Sequence, residues 1–398
     1  MCSATSNNIL PEPPEELKSV SDELADVIKA RIDQNGPLSF AEFMEMALYE
    51  PGLGYYSAGL QKFGEGGDFV TAPLMGDVFA RCLARQIAQL GDELGEFEVI
   101  EAGAGSGILA ADLLTALEDD KPPCRYRILE RSAHLRQVQK ETLVKAVPQW
   151  MDRISWLDEP PDTGWQGVFL ANEVLDALVV ERFCIEDQGI RRLQVIRDGD
   201  GFKWQKGPCP ERVEQKILKL LAGLEHRTDP GYRSEINIDL PAWLQAVTGS
   251  MQKGVALFID YGYTRRDYYM PQRNDGTLIC HYQHRAHNDP FKWPGLVDIS
   301  ASVDFTALAE AADGCGLEVS GYTTQAMFLL ACGLDQILAG SEPLSEQNRL
   351  KMNNQVRRLT LPGEMGERFQ VMALSRGLNE EYYDGMLGFS LSDLRHRL

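Results

Sequence analysis

One segment of the chain specifies its architecture, and it reads Glu96-Phe97-Glu98-Val99-Ile100-Glu101-Ala102-Gly103-Ala104-Gly105-Ser106-Gly107. A short apolar run ends in the carboxylate of Glu101, and glycines follow at alternate positions. The helical pattern that begins at Ile108 completes a strand, a tight turn and a helix start. Such a βα unit is typical of sheets that bind a nucleotide-like cofactor at the turn.

The spacing of the glycines indicates which cofactor the turn would hold. A dinucleotide-binding fingerprint has its third glycine where this chain has Ile108. Glu101 would also place a negative charge against a pyrophosphate. S-adenosyl-L-methionine (AdoMet) has no phosphate and carries an ammonium and a sulfonium, which a carboxylate attracts. We therefore predict AdoMet as the cofactor, bound by Glu101, Gly103, Gly105 and Gly107.

The next strand supports this prediction. The segment Arg125-Tyr126-Arg127-Ile128-Leu129-Glu130 is rich in strand-forming residues and ends in an acid, one crossover helix after the glycines. At that place the carboxylate of Glu130 can accept hydrogen bonds from both ribose hydroxyls. The alternatives are a glycine-rich turn without a ligand and an ordinary acid near a helix start. The glycine turn and the acid occur together at the expected spacing, and this favours the cofactor site.

The composition argues against several classes of partner. The chain has 398 residues, 44% of them hydrophobic, so it can bury a substantial core. Its formal net charge of −20 opposes binding to nucleic acid or to anionic membranes. Eight scattered cysteines without a CxxC pair indicate reduced thiols. With no signal-peptide pattern and no run that could span a membrane, we expect a cytoplasmic protein without membrane insertion.

The order of predicted elements indicates an α/β fold. Strands are expected at 97–101, 125–130, 153–156 and 167–171, with helices at 107–118 and 132–146 between them. An antiparallel meander at 182–206 and a helix at 210–224 interrupt the alternation. The sheet resumes at 255–260, and two strands at 317–323 and 369–374 flank one helix at 325–339. This is the layout of a class I AdoMet methyltransferase, with a Rossmann-like seven-stranded sheet. A dinucleotide-binding domain with a separate catalytic domain is the alternative.

The same elements divide the chain into regions. We expect a flexible tail at 1–16, an N-terminal helical block with a cofactor-closing loop at 17–95, a methyltransferase core at 96–178 and 251–380, an inserted meander and helix at 179–250, and an inserted substrate-facing loop at 261–304 within the core.

Several ordered motifs resemble one family, the MidA-like methyltransferases. The motifs are Gly36-Pro37-Leu38-Ser39-Phe40, Gly54-Tyr55-Tyr56, Gly67-Asp68-Phe69-Val70-Thr71-Ala72-Pro73, the glycine segment from Glu101 to Gly107, Asn172-Glu173-Val174-Leu175-Asp176-Ala177-Leu178, and Asp260-Tyr261-Gly262. The resemblance extends from about residue 20 to 375. It implies a class I fold, and it implies protein-arginine methylation, which mitochondrial members perform in respiratory complex I assembly. It also implies that Asp68 and Phe69 lie in a loop that closes over the cofactor. Val179 stands where the family often has proline.

The segment after the fourth strand is the candidate catalytic site. Asn172 and Glu173 end that strand, where class I methyltransferases place groups that face the transferable methyl. Carboxylates there can clamp a guanidinium by charge-assisted hydrogen bonds. Glu173, Asp176 and Glu181 supply such acids, and Asn172 is a candidate for both cofactor and acceptor contacts. The alternative is that these acids only stabilise the N-terminus of a helix through its dipole.

The segment Cys280-His281-Tyr282-Gln283-His284-Arg285-Ala286-His287-Asn288-Asp289 contains potential zinc ligands. It lacks a second ligand pair elsewhere, so we predict no metal. We interpret it as a substrate-facing loop, in which His281 and His284 are candidates to bind a substrate or take a proton late in turnover. Structural hydrogen bonds by these histidines are the alternative.

We therefore predict an AdoMet-dependent methyltransferase that releases S-adenosyl-L-homocysteine. By resemblance, the acceptor is an arginine of a partner protein and the product is symmetric dimethylarginine. A small-molecule N- or O-methyltransferase and a non-catalytic AdoMet-binding assembly chaperone are the alternatives. The sequence leaves a homodimer open.

Overall fold

The computed structural model describes residues 10–58, 72–224, 228–340, 346–379 and 385–398. The helices are α1 Glu15–Asn35, α2 Phe40–Tyr49, α3 Val78–Leu94, α4 Ile108–Leu117, α5 Ala133–Ala146, α6 Glu211–Ala222, α7 Leu240–Thr248, α8 Arg265–Tyr268, α9 Phe305–Gly314, α10 Gln325–Ala331, α11 Leu334–Ala339, α12 Glu346–Thr360 and α13 Met365–Arg368.

The strands are β1 Leu38–Ser39, β2 Glu98–Ala102, β3 Arg125–Leu129, β4 Ile154–Leu157, β5 Trp165–Asn172, β6 Glu181–Glu186, β7 Gly189–Asp198, β8 Gly201–Pro208, β9 Arg233–Ile236, β10 Met251–Tyr263, β11 Ile279–Tyr282, β12 Arg285–His287, β13 Asp298–Ser300, β14 Val303–Asp304, β15 Glu318–Thr324 and β16 Phe369–Arg376.

The chain forms two compact units. Within the described residues, unit 1 comprises those up to 58, those between 179 and 237, and 271–301. Unit 2 comprises 72–178, 238–270 and the described residues from 302 to 398. Helix α3, which the predicted division grouped with the N-terminal block, therefore belongs to unit 2 with the glycine segment.

Unit 2 contains the predicted sheet. Its strands follow the order β15-β16-β10-β5-β2-β3-β4, and β14 pairs with β10 beside this path. The strands from β10 to β4 are parallel to their neighbours, while β16 is antiparallel to both β10 and β15. The seven-stranded class I layout with its antiparallel closing edge is thus confirmed.

Both faces of this sheet are buried, as the apolar runs of a parallel sheet require. Val168 and Leu170 of β5 pack on one face, in a core that includes residues of α3 and α4. Phe169 and Ala171 point to the opposite face, in a core that includes residues of α7 and α9. Successive residues of a strand point to opposite faces, so one apolar segment serves both cores.

Unit 1 is built on an antiparallel sheet with the order β1-β7-β6-β9, in which β8 pairs with β7. This confirms the predicted meander. At the start of α2, Ser39 and Glu42 form a reciprocal capping box.

Two predictions about elements were wrong. The helix predicted at 325–339 consists of α10 and α11, which are separated at Gly333, where the backbone is left-handed with φ 80°. The segment 280–289 was predicted to be a loop. Instead, β11 and β12 form a hairpin in a three-stranded antiparallel sheet of order β12-β11-β13.

The sequence analysis also missed elements. Helices α7, α9 and α12 were not predicted, although α9 begins with a recognisable cap in which Asp304 accepts a hydrogen bond from the Ala307 amide. Among the described residues, no helix is long and apolar enough to cross a membrane.

Candidate functional site

The predicted site residues of unit 2 lie at the carboxyl ends of neighbouring parallel strands. The register pairs Ala102 at the end of β2 with Leu129 of β3 and with Ala171 of β5. It also pairs Asn172 at the end of β5 with Ile259 of β10. The next residues of these strands therefore stand side by side at one edge of the sheet, where open α/β sheets bind ligands.

The turn after β2 has the geometry of a ligand cradle. Gly103, Gly105 and Gly107 all have left-handed backbone torsions, with φ of 62°, 53° and 80°. A Cβ atom on Gly103 would lie 3.2 Å from the Val174 side chain, and one on Gly107 would lie 3.1 Å from Gln139 Cα. A side chain at either position would thus be strained and crowded, so the turn presents bare backbone ahead of α4.

Glu101 is less open than the sequence suggested. Its side chain is 2% exposed, and its Oε2 accepts a hydrogen bond of 2.8 Å from the Tyr126 hydroxyl on β3. Burial raises the pKa of Glu101 to about 7, the Tyr126 hydrogen bond lowers it, and the charge of Glu130 raises it. Glu101 therefore changes its charge near neutral pH. Tyr126 was not singled out from the sequence, although its hydroxyl group lies at one of the buried positions of β3.

Glu130 lies directly after β3 and is joined to the cradle by Gln139 of α5. Its Oε1 accepts from the Ser132 amide at 2.9 Å, and its Oε2 accepts from Gln139 Nε2 at 3.1 Å. Gln139 Nε2 also donates to the carbonyl of Gly105 at 3.1 Å. Burial raises the pKa of Glu130, while these hydrogen bonds oppose the rise. The fully buried Gln139 is a site residue that the sequence analysis missed.

Asn172 and Glu173 meet at the end of β5. Asn172 Nδ2 donates to Glu173 Oε1 at 3.3 Å. Asn172 Oδ1 is buried and finds no hydrogen-bond donor among the described residues. Glu173 has φ 52°, a left-handed conformation that is strained for a residue with a side chain. A buried acceptor beside a strained residue marks this strand end as a candidate binding site.

Asp176 and Asp260 add two buried acids to this strand end, 7% and 1% exposed. Burial raises the pKa of Asp176 to about 6, and a hydrogen bond from the Tyr261 side chain opposes the rise. Burial and the charges of Asp176 and Glu173 raise the pKa of Asp260 well above its ordinary value. When it is ionised, Asp260 therefore repels both Asp176 and Glu173, and a cation would relieve that repulsion.

Asp260 was quoted only as part of a family motif, yet it contacts the segment after β5 directly. Its Oδ2 accepts from the amides of Val174, Leu175 and Asp176 at 3.2, 2.9 and 3.3 Å. A carboxylate directly after the apolar run 255–259 is the sequence signal that could have identified it.

Glu181 was predicted as the third acid after the fourth strand, and the structure gives it a cationic partner of its own. Glu181 belongs to β6 of unit 1, where both of its oxygens accept hydrogen bonds from Arg192. An acid with such a partner already has its charge compensated.

The predicted histidines belong to unit 1. His284 is exposed in the turn of the β11–β12 hairpin of unit 1, with φ 61°. Burial lowers the pKa of His281 to about 4, so this imidazole is neutral at pH 7. Asp68 and Phe69 lie outside the described residues.

Chemically, the strand ends of unit 2 suit a cationic ligand that has hydroxyl groups and lacks phosphate. Buried carboxylates accept hydrogen bonds and attract positive charge, while the glycine turn allows close approach of the backbone. Within the described residues, no group of three histidine, cysteine or acidic side chains could hold a metal ion.

Comparison with known proteins agrees with this chemistry. A family profile described as S-adenosyl-L-methionine-dependent methyltransferase matches residues 78–323. The mitochondrial protein arginine methyltransferase NDUFAF7 of Rattus norvegicus is 29% identical, with 86% of this chain and 82% of that protein covered. The Drosophila melanogaster homologue is 26% identical, with 95% and 93% covered.

Two solved structures share the whole fold. A Burkholderia thailandensis protein bound to S-adenosyl-homocysteine superposes with a TM-score of 0.91 at 41% identity, covering 98% of this chain and 100% of that chain. A native structure of a protein from the same organism gives a TM-score of 0.89 at 40% identity, with 98% and 100% covered.

Proposed function

The chain belongs to the S-adenosyl-L-methionine-dependent methyltransferase family, and from this we propose that it methylates an arginine side chain of a partner protein. The observation that carries the proposal is the pair of acids Glu173 and Asp176 in the turn after β5, which the buried Asp260 holds through its backbone amides. A guanidinium is planar, always cationic and rich in donors, so it matches such a pair. The relatives that are named protein arginine methyltransferases support the same acceptor.

We assign cofactor binding to the ends of β2 and β3. The left-handed glycines form a cradle that a Cβ atom would obstruct, and Asn172 Oδ1 is a buried acceptor available to a donor of the ligand. Glu130 would accept the ribose hydroxyls, which compete with Gln139 for Oε2. Glu101, once ionised, would stabilise the positive charges of the ligand. AdoMet supplies an electrophilic methyl group on a good leaving group.

In this proposal Glu173 holds the acceptor. Its carboxylate would bind one edge of the guanidinium and favour attack by a nitrogen atom directed at the methyl group. A charge-assisted hydrogen bond of this kind contributes about 1.5–3 kcal/mol. The left-handed torsion of Glu173 fixes where its side chain leaves the backbone, so orientation is set before the acceptor binds.

Asp176 would then take the proton. Methylation of a guanidinium nitrogen forms one N–C bond and releases one proton, because the product is again a monocation. With a pKa of about 6, Asp176 is ionised at pH 7 and can accept that proton. Its own amide donates to Asp260 Oδ2 at 3.3 Å, which would hold it in place. His284 remains a predicted site residue to which we assign no step.

The setting of the reaction is also a proposal. The relatives named above are mitochondrial by name, whereas the composition of this chain predicts a cytoplasmic enzyme. The family resemblance suggests that the partner belongs to a respiratory complex, and symmetric dimethylarginine is the product that it implies.

A transfer assay tests the acceptor. Purified protein is incubated with methyl-labelled AdoMet and a lysate of the source cell, and labelled proteins are hydrolysed and analysed for methylarginines by mass spectrometry. We expect label in dimethylarginine, and none with Glu173→Ala. Label in a small molecule, or cofactor binding without any transfer, would support the two alternatives and contradict the proposal.

A further inference from the structure

Two consecutive residues of β10 control the backbone on both sides of Glu173. The amide of Glu173 donates to the Ile259 carbonyl at 2.9 Å. The next amide, that of Val174, donates to the side chain of Asp260 at 3.2 Å. Both peptide groups that flank the Cα of Glu173 are therefore attached to the neighbouring strand. Since φ and ψ describe the rotation of these two groups about Cα, the attachment restrains both torsions.

The same carboxylate also holds the rest of the turn. Asp260 Oδ2 accepts from the Leu175 amide at 2.9 Å and from the Asp176 amide at 3.3 Å. Asp260 Oδ1 accepts from the Tyr261 amide at 2.9 Å, which orients the carboxyl group on its own strand. Consecutive amides directed at one point normally form a site for an anionic ligand. Here a side chain of the protein occupies that position.

This arrangement explains how a strained residue persists at the strand end. A non-glycine residue in a left-handed conformation costs on the order of 1–3 kcal/mol and survives only where its surroundings impose it. The bond from Val174 to Asp260 is one of the contacts that hold Glu173 in this conformation, and it acts on the peptide group that sets ψ. If Glu173 relaxed to an ordinary conformation, its carboxylate would point in a different direction.

We infer that Asp260 is a positioning residue for methyl transfer, which acts by fixing the turn that carries Glu173 and Asp176. The inference rests on the proposed acceptor function, because only that function gives these two acids a role. Asp260 itself need not touch the acceptor. It is 1% exposed, and four amides occupy its oxygens.

Replacement of Asp260 should therefore lower the rate of methyl transfer and leave the affinity for the cofactor unchanged. The cradle at Gly103 and the ribose acid Glu130 belong to β2 and β3, and the Asp260 carboxyl bonds described above do not reach either residue. The acceptor groups depend on the turn. Misplacement of a catalytic group by about 1 Å can lower a rate by about 10²-fold.

Hydrogen exchange provides a test that needs no acceptor. We would compare wild-type protein with Asp260→Ala, Asp260→Asn and the control Asp304→Ala, each with S-adenosyl-L-homocysteine bound. Asp304 is a suitable control because it is another buried acid of unit 2 that accepts a backbone amide, that of Ala307. In Asp260→Ala, amides 174–176 should exchange about tenfold faster or more, because each loses its acceptor.

The Asp260→Asn variant and the peptides of the cofactor cradle serve as further controls. Asp260→Asn keeps one acceptor oxygen, so its effect on the same amides should be smaller, and it carries the test if the alanine variant does not fold. Peptides that cover 98–107 should exchange as in the wild type, and calorimetry should show unchanged binding of S-adenosyl-L-homocysteine. In the lysate assay, transfer should fall by about 10²-fold in Asp260→Ala and stay unchanged in Asp304→Ala.

Two results would overturn the inference: wild-type exchange at residues 174–176 in Asp260→Ala, or loss of cofactor binding in parallel with loss of transfer. The second would make Asp260 a general determinant of the fold. If the wild-type protein transfers no methyl group to arginine, the proposed function fails, while the exchange and binding measurements still decide whether Asp260 holds the turn.

Discussion

The hydroxyl of Tyr126 donates a 2.8 Å hydrogen bond to Glu101 Oε2 across two adjacent parallel strands, β3 and β2. Tyr126 is fully buried and Glu101 is 2% exposed, so a carboxyl group that faces the proposed cofactor site is removed from water. Burial raises the pKa of Glu101 to about 7, and the tyrosine limits that rise. If Glu101 binds the cofactor as we propose, the affinity for AdoMet should depend on pH near neutrality.

Binding of AdoMet should release protons through Glu101. At pH 7 about half of the apo-protein carries a proton on Glu101, and a cationic ligand favours the ionised form, so binding should release roughly half a proton. Calorimetry in two buffers of different ionisation enthalpy measures this release. In Glu101→Gln the release should disappear and the affinity should fall. Identical proton release in both proteins would assign the titration to another group.

The same substitution should change how stability depends on pH. The folded-state pKa of Glu101, about 7, lies above its ordinary value of 4.5, so the folded apo-protein holds this proton more strongly. The contribution is fully present below pH 4.5 and is lost as the pH rises towards 7 and above, which amounts to about 3 kcal/mol. We therefore expect the Tm of wild-type apo-protein to fall relative to that of Glu101→Gln as the pH rises from 5 to 8. A constant difference would contradict this.

Tyr126→Phe should raise the pKa of Glu101 further, because it removes the hydrogen bond that lowers it. More Glu101 is then protonated at pH 7, so AdoMet should bind more weakly, and unfolding should become easier by about 1–3 kcal/mol. Tyr322→Phe on β15 is the control, since it also removes a buried hydroxyl from unit 2. Equal effects of the two variants on AdoMet affinity would exclude the proposed link.

Gly103→Val should abolish AdoMet binding while the protein stays folded. The left-handed torsion makes any side chain unfavourable by about 1–2 kcal/mol, and the new Cβ would lie 3.2 Å from Val174. Gly316→Val of unit 2 controls for the strain alone, because Gly316 has φ 69° and no atom within 4 Å of a built Cβ. Both variants should show a similar fall in Tm, but only Gly103→Val should fail to bind AdoMet by calorimetry.

Glu173→Gln should reduce methyl transfer by about tenfold to a hundredfold, since a guanidinium would lose a charge-assisted hydrogen bond of about 1.5–3 kcal/mol. Its AdoMet affinity should stay close to that of the wild type, because the proposed cofactor contacts come mainly from β2 and β3. Glu159→Gln, an exposed change in unit 2, should have no effect. A parallel loss of binding and transfer would make Glu173 a cofactor ligand instead.

Much of unit 2 could be predicted because its signals are local. The apolar run into Glu101, the alternate glycines and the acid at Glu130 each occupy a few consecutive residues, and their torsional and solvation requirements act over the same range. The error at 325–339 had a local cause that was overlooked, since Gly333 takes a left-handed torsion that ends a helix. The histidine segment was misinterpreted because a two-residue turn with φ of 45° and 61° at Gln283 and His284 lacks the usual asparagine and glycine signal.

By itself, the sequence determined the class of fold and which strands end in glycines or acids. It also determined the cofactor that this arrangement suits. Only the tertiary structure decided which acids act together. Glu181 is eight residues from Glu173 along the chain but pairs with Arg192 in another unit, whereas Asp260 lies far along the chain and reaches the turn through the pairing of β10 with β5. Burial and charge coupling depend on distance in space, so the ionisation of Glu101, Asp176 and Asp260 follows from packing, which local pattern does not contain.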